Sequence, residues 1–230
     1  MFPKMNDPRF RSQVDRYGRN LKMYQSNYLK QPVNLDISHR CPLQCGACHR
    51  QTSWYAKNRH LYKDMPKEDI KKFIDSGFKF LEFCGQQSDP LAHPDILDII
   101  SLCSSIKLII HTATSHRKKE FYEEAFDRSG LMTSWIFGLD GLPEESHKYR
   151  INQDGKKLFE MAKLCASKGI KTRWVYIIFK YNENHIKEAK MMAEDNGIEF
   201  QIMTENQIFP EKHYTRKNYG SRGVSRKRRK

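Results

Sequence analysis

The sequence predicts an α/β fold, a partial (β/α)6 TIM-like barrel, and three observations carry that expectation. Short apolar runs alternate about six times with amphipathic segments, glycines fall where several of the helices should end, and 230 residues is short for a closed barrel. A closed eight-stranded barrel takes ~250 residues. Repeated strand–helix alternation means right-handed βαβ units around a parallel sheet.

The strands are expected at Val33–Ser38, Phe78–Phe83, Lys107–His111, Ser134–Leu139, Thr172–Phe179 and Glu199–Met203. Several are near-continuous apolar runs, the pattern of parallel strands covered on both faces. Between them, Ile70, Phe73 and Ile74 mark one helix, and Ile96, Leu97, Ile99, Ile100 and Leu102 the next. Phe121, Tyr122, Ala125 and Phe126 mark a third; Leu158, Phe159, Ala162 and Cys165 a fourth; Ile186, Ala189 and Ala193 a fifth. Each set repeats at three- and four-residue steps. Gly77, Gly130, Gly169 and Gly197 stand where left-handed C-terminal caps belong. Pro94-Asp95 suits the opening of a helix.

A hydrophobic fraction of 38% supports one sizeable core, while a mean hydropathy of −0.79 means a very polar surface. No apolar stretch approaches the ~20 residues that span a bilayer, and residues 1–30 hold no apolar signal region. The expectation is a soluble cytoplasmic protein without a membrane contact. Its six cysteines then read as thiols or metal ligands rather than a disulfide framework. The net charge of +14 is uneven: residues 211–230 hold nine Lys/Arg against Glu211, so +6 is left for the rest. Such a tail should be disordered and could grip nucleic acid or an acidic protein. The expected division is an irregular basic N-terminal extension over 1–30, a core domain over 31–210 and a disordered basic tail over 211–230.

The chemistry concentrates in the run Arg40-Cys41-Pro42-Leu43-Gln44-Cys45-Gly46-Ala47-Cys48-His49-Arg50, on the loop after the first strand. The C-x3-C-x2-C spacing folds three thiolates around one point. Thiolates select zinc, Cu(I) or iron–sulfur clusters. A structural zinc wants a closed set of four ligands, for which His39 or His49 is available. A 4Fe–4S cluster on three cysteines leaves one iron open.

This motif, with its Arg-Cys-Pro-Leu-x-Cys-x-x-Cys-x-Arg surroundings, resembles the core domain of radical SAM enzymes, in particular members that often carry a SPASM extension. The resemblance covers roughly residues 33–205. It implies one 4Fe–4S cluster on Cys41, Cys45 and Cys48, and S-adenosylmethionine chelated at the open iron. Electron transfer into the sulfonium then releases a 5′-deoxyadenosyl radical that abstracts hydrogen from substrate. Four further loops, all at the C-terminal ends of strands, extend the likeness. Cys84-Gly85-Gln86-Gln87-Ser88-Asp89-Pro90-Leu91 resembles the loop that holds the methionine ammonium, with Gly85, Ser88 and Asp89 as candidates. Thr112-Ala113-Thr114-Ser115-His116-Arg117 resembles Thr-Asn-Gly-Ser-x-Arg and offers Ser115 for the methionine carboxylate or ribose, or as a helix cap. Gly138-Leu139-Asp140-Gly141, followed by Arg150, resembles a Ser-Leu-Asp-Gly turn with a carboxylate-binding arginine. Phe179-Lys180-Tyr181-Asn182-Glu183 offers Asn182 for ribose or adenine, or as a turn residue.

The chain departs from the family pattern at Ala47, where an aromatic often packs near adenine, at Ser88 and Ala113-Thr114, which replace glycine and Asn-Gly, and at Gly138, which replaces serine. No second cysteine cluster follows the sixth strand, so a SPASM domain is not expected. Cys103 and Cys165 read as buried hydrophobes; Cys84, at the active-site end of its strand, reads as packing before it reads as a radical-quenching thiol. The partners implied are an electron donor such as a flavodoxin or ferredoxin, which a basic surface suits, and a substrate that is a peptide, nucleotide or small metabolite. The competing reading is a zinc-stabilised nucleic-acid-binding module working through the basic tail; a barrel that binds a cluster without catalysis is a third.

Overall fold

A computed structural model describes residues 29–46, 48–51, 57–58, 63–85 and 88–203. Six strands, β1 (Val33–Leu35), β2 (Phe80–Phe83), β3 (Lys107–Thr112), β4 (Thr133–Gly138), β5 (Lys171–Ile177) and β6 (Glu199–Met203), form one sheet in sequence order. Every neighbouring pair is parallel. Between them run α1 (Lys67–Asp75), α2 (Ile96–Leu102), α3 (Lys119–Asp127), α4 (Gly155–Ser167) and α5 (Ile186–Glu194). Strand order 1 to 6 with a helix at each crossover is the partial (β/α)6 barrel that the sequence predicts. The expected N-terminal cap, apart from residues 29–30, and the basic tail lie outside the described residues.

The core lies between the outer face of the sheet and the helices. Leu81, Leu108, Trp135 and Trp174 are fully buried there against Tyr122, Ala125, Leu158 and Ala162. Phe126 meets Trp135 edge-on at 5.0 Å between ring centroids, and Phe159 meets Trp174 at 5.2 Å. Burying each such side chain is worth about 1.5–3 kcal/mol, so this layer carries most of the stability. The inner face differs from the expectation of strands covered on both sides. Along β3 and β5 buried residues alternate with half-buried ones, because six strands do not close and their inner side chains line a cavity.

Three of the four predicted helix-ending glycines have positive φ: Gly77, Gly169 and Gly197. Gly130 does not. A Cβ there would collide with the backbone of Ser104, so this glycine permits close approach of two loops rather than a left-handed cap. Asp95 is the N-cap of α2, as Pro94-Asp95 suggests.

Candidate functional site

The cysteine loop is pinned at its base by one carboxylate. Ser38 donates to Asp64 at 2.8 Å, Arg40 Nε at 2.7 Å, and His39 Nδ1 lies 3.2 Å away. Against the desolvation of its partial burial, the hydrogen bonds from Ser38 and Arg40 hold the Asp64 carboxyl below its ordinary range. Farther along, Gln44 N donates to the Ile151 carbonyl at 3.1 Å and Asn152 Nδ2 to that of Pro42 at 3.3 Å. The loop is thereby stretched from the end of β1 to the segment after β4. Cys41, Cys45 and Cys48 all face a cavity of about 350 Å³ at the C-terminal ends of the strands. Burial pushes the Cys41 thiol up to about 12 and raises that of Cys45.

Gly85, Ser88 and Asp89 line the same cavity. A Cβ on Gly85 would collide with the Ser88 carbonyl, so Ser88 approaches this closely only because residue 85 is glycine. Ser88 Oγ donates to Asp36 at the end of β1. Asp89 is 4% exposed and ties three segments together: its carboxylate accepts from Leu91 N at 3.0 Å, Ala113 N at 2.8 Å and the Thr112 hydroxyl at 3.0 Å. Its own N–H donates to the Arg40 carbonyl at 2.9 Å. Burial raises its carboxyl, with those donors opposing. Asp89 thus lines the cavity and at the same time caps the turn that opens at Pro90.

Arg150 reaches the cavity wall, with its Nε 2.7 Å from Asp140 Oδ2. Asp140 is fully buried behind it and accepts from Ile177 N at 2.8 Å; it steadies Arg150 and the end of β5. Burial pushes the Asp140 carboxyl up, and Arg150 opposes that shift. Gly138 makes the room: a Cβ there would lie 2.9 Å from Arg150 Nη2 and 3.2 Å from its Cζ. Ser115 and Asn182 are not brought to the cavity. Ser115 Oγ accepts from Asp154 N at 2.7 Å, stapling the loop after β3 to the N-cap of α4. Asn182 is fully buried, accepts from Phe179 N at 2.6 Å and donates to the Ile177 carbonyl at 2.9 Å.

Arg50, Tyr149, His111 and Cys84 line the cavity as well, and none was among the candidate site residues. Arg50, which closes the cysteine motif, is 7% exposed and donates to the His39 carbonyl. Tyr149 packs on Phe179 at 4.3 Å between centroids. His111 had a signal: it is a polar residue at the open end of an apolar strand.

The radical SAM superfamily model matches residues 35–194. The chain belongs to the radical SAM superfamily. PqqA peptide cyclase of Gluconobacter oxydans is 25% identical over 174 residues, covering 72% of this chain and 47% of that protein. The same-named protein of Bradyrhizobium diazoefficiens is 29% identical over 83 residues, covering 36% and 21%. The chain thus spans less than half the length of these curated relatives. In fold it is similar to Streptococcus suis SuiB, at a TM-score of 0.66 and 16% identity, covering 91% of this chain and 48% of that one. SuiB has also been solved bound to S-adenosylmethionine and to precursor peptide SuiA, with TM-scores of 0.63 and 0.64.

Membership in the radical SAM superfamily implies a 4Fe–4S cluster and S-adenosylmethionine, and the residues present fit both. Three thiols on one wall suit a cluster, in which each binds a different iron. Mononuclear zinc would need a closed set of four ligands, and the three cysteines supply three. His39 is turned to Asp64; the His49 side chain and Ala47 lie outside the description. Among the described residues no helix is long and apolar enough to cross a membrane.

Proposed function

We propose that the chain is a radical SAM enzyme that cleaves S-adenosylmethionine reductively at one 4Fe–4S cluster and modifies a peptide. When bound, the cluster and cofactor supply the electron and the 5′-deoxyadenosyl radical that abstracts hydrogen from substrate. Cys41, Cys45 and Cys48 hold three irons. Gly85 and Ser88, which approach each other closely, present backbone groups to the methionine end, with Asp89 fixed beside them and leaving only its remaining lone pairs for the ammonium. Arg150 pairs with the methionine carboxylate through its Nη atoms while Asp140 holds Nε. Tyr149, near Cys45 and Cys48, supplies an aromatic face beside the cluster loop. Ser115 and Asn182 act at one remove, by fixing the loops that close the cavity.

The single observation that carries this reading is the convergence of the three motif cysteines, Gly85, Asp89 and Arg150 on one cavity. The peptide comes from the relatives: the curated proteins are named peptide cyclases and SuiB is solved with a precursor peptide. An acidic flavodoxin or ferredoxin is the electron donor, the protein works in the cytoplasm, and residues 211–230 meet an acidic protein or nucleic acid. Anaerobic incubation of the reconstituted chain with dithionite and S-adenosylmethionine should form 5′-deoxyadenosine, and Cys45→Ala should abolish it. Equal product from both proteins would defeat the proposal.

A further inference from the structure

Below the rim formed by Ala113 and Gly138, the inner face of the barrel carries a hydrogen-bonded histidine–carboxylate pair on neighbouring strands. His111 of β3 lines the cavity, and its Nε2 lies 2.6 Å from Oε1 of Glu82 on β2. The side chains are 29% and 23% exposed. A carboxylate only accepts, so Nε2 carries the proton of that bond. The other ring nitrogen, Nδ1, has no partner among the described residues.

Stability does not account for this pair. Barrel interiors are ordinarily filled by branched apolar side chains, and Ile136 stands beside His111 in register on β4. A partly buried carboxylate loses solvation there that one hydrogen bond offsets only in part, so an apolar pair of the same volume would serve stability as well. The neighbouring charges are committed elsewhere. Asp89 is held by Leu91, Thr112 and Ala113, and Arg150 by Asp140. Across the barrel, Arg173 gives Nη2 to both oxygens of Glu199 at 3.0 Å.

We propose that the Glu82–His111 pair is the substrate-recognition point of the cavity, with His111 Nδ1 accepting a hydrogen bond from an amide, amine or hydroxyl on a substrate side chain. Glu82 is the positioning residue: it fixes the ring and its tautomer, and the His111 bond holds its own carboxyl below the ordinary range. Three carboxylates stand around the neighbouring thiol. Besides burial, Glu82, Asp36 and Asp89 each raise the thiol of Cys84 between them. Recognition therefore lies one pleat, about 6.6 Å, below Ala113, within a side chain's reach of the cysteine loop. Substrates with N–H or O–H donors are selected over carboxylates. This rests on the radical SAM reading of the same cavity.

The test uses the full chain, reconstituted anaerobically with cluster and S-adenosylmethionine. Capped tripeptides Ac-Gly-Xaa-Gly-amide, with glutamine, lysine, leucine or glutamate at the centre, are titrated while the Cε1–H resonance of His111 is followed by NMR, assigned through His111→Gln. The glutamine and lysine peptides should shift that resonance and bind about tenfold tighter than the glutamate peptide, the worth of one hydrogen bond to a polar site. Glu82→Gln should erase the preference. A glutamate or leucine peptide that binds as well as glutamine overturns the proposal, as does a His111 signal that no peptide moves. Iron content and the EPR response to S-adenosylmethionine are read on the same sample. If those hold while the preference is missing, recognition alone is wrong; if they fail, the enzyme reading falls with it.

Discussion

Replacing Asp140 by asparagine should destabilise the barrel far more than an isosteric change at most positions, because of Arg150. Asp140 is fully buried and its Oδ2 lies 2.7 Å from Arg150 Nε. Asparagine keeps the shape and an oxygen for the Ile177 N–H, so the main loss is the countercharge. Removing one partner of a buried pair costs about 3–5 kcal/mol, since the other charge stays desolvated. For a domain of this size each kcal/mol moves the melting temperature by about 2–4 °C, so Asp140→Asn should melt roughly 6–20 °C lower. Replacing both residues, as Asp140→Asn with Arg150→Met, removes the orphaned charge and should recover a good part of that loss. The assay is circular-dichroism melting of the full chain, held anaerobic at fixed cluster content. A single variant within about 2 °C of the parent, or a double variant that melts below the single one, would refute the account of Asp140 as the support for Arg150.

Gly85→Ala forces a Cβ against the Ser88 carbonyl; equilibrium binding should show S-adenosylmethionine affinity lower by about tenfold or more, roughly 1.4 kcal/mol, and unchanged affinity would remove Gly85 from the site. Asn182→Ala strands Phe179 N and the Ile177 carbonyl and should cost about 1–3 kcal/mol of stability with cofactor affinity unaltered. A selective loss of cofactor affinity would instead make Asn182 a ligand. The His111 bond lowers the Glu82 carboxyl, so its contribution to stability is complete above the unfolded value of about 4.3 and is lost as pH falls through the lower folded value. The melting difference between the parent and Glu82→Gln should therefore shrink below about pH 4.3; a difference that grows on acidification contradicts the pairing.

The alternation of strands and helices was legible because each parallel strand presents an apolar face to a covering helix. All six expected strands appear, with ends shifted by up to three residues. The cysteine loop was legible because its spacing is local. What the sequence could not show was direction. Asp140, Ser115 and Asn182 all follow strand ends, yet each is turned to backbone or to a buried partner, and Ser115 is set by Asp154, 39 residues away. Gly138 looked like a lost serine donor; it is the space that Arg150 occupies. His111 and Glu82 were hidden because the apolar strands suggested burial on both faces, whereas an open barrel leaves its inner face lining a cavity.

The central claim is that Cys41, Cys45 and Cys48 hold a 4Fe–4S cluster with an open iron. Anaerobic iron and sulfide analysis, with EPR of the reduced chain before and after S-adenosylmethionine, tests it most directly. The account predicts about four iron per chain and a spectrum that changes when the cofactor is added. Stoichiometric zinc, with no EPR signal after anaerobic reconstitution, would contradict it.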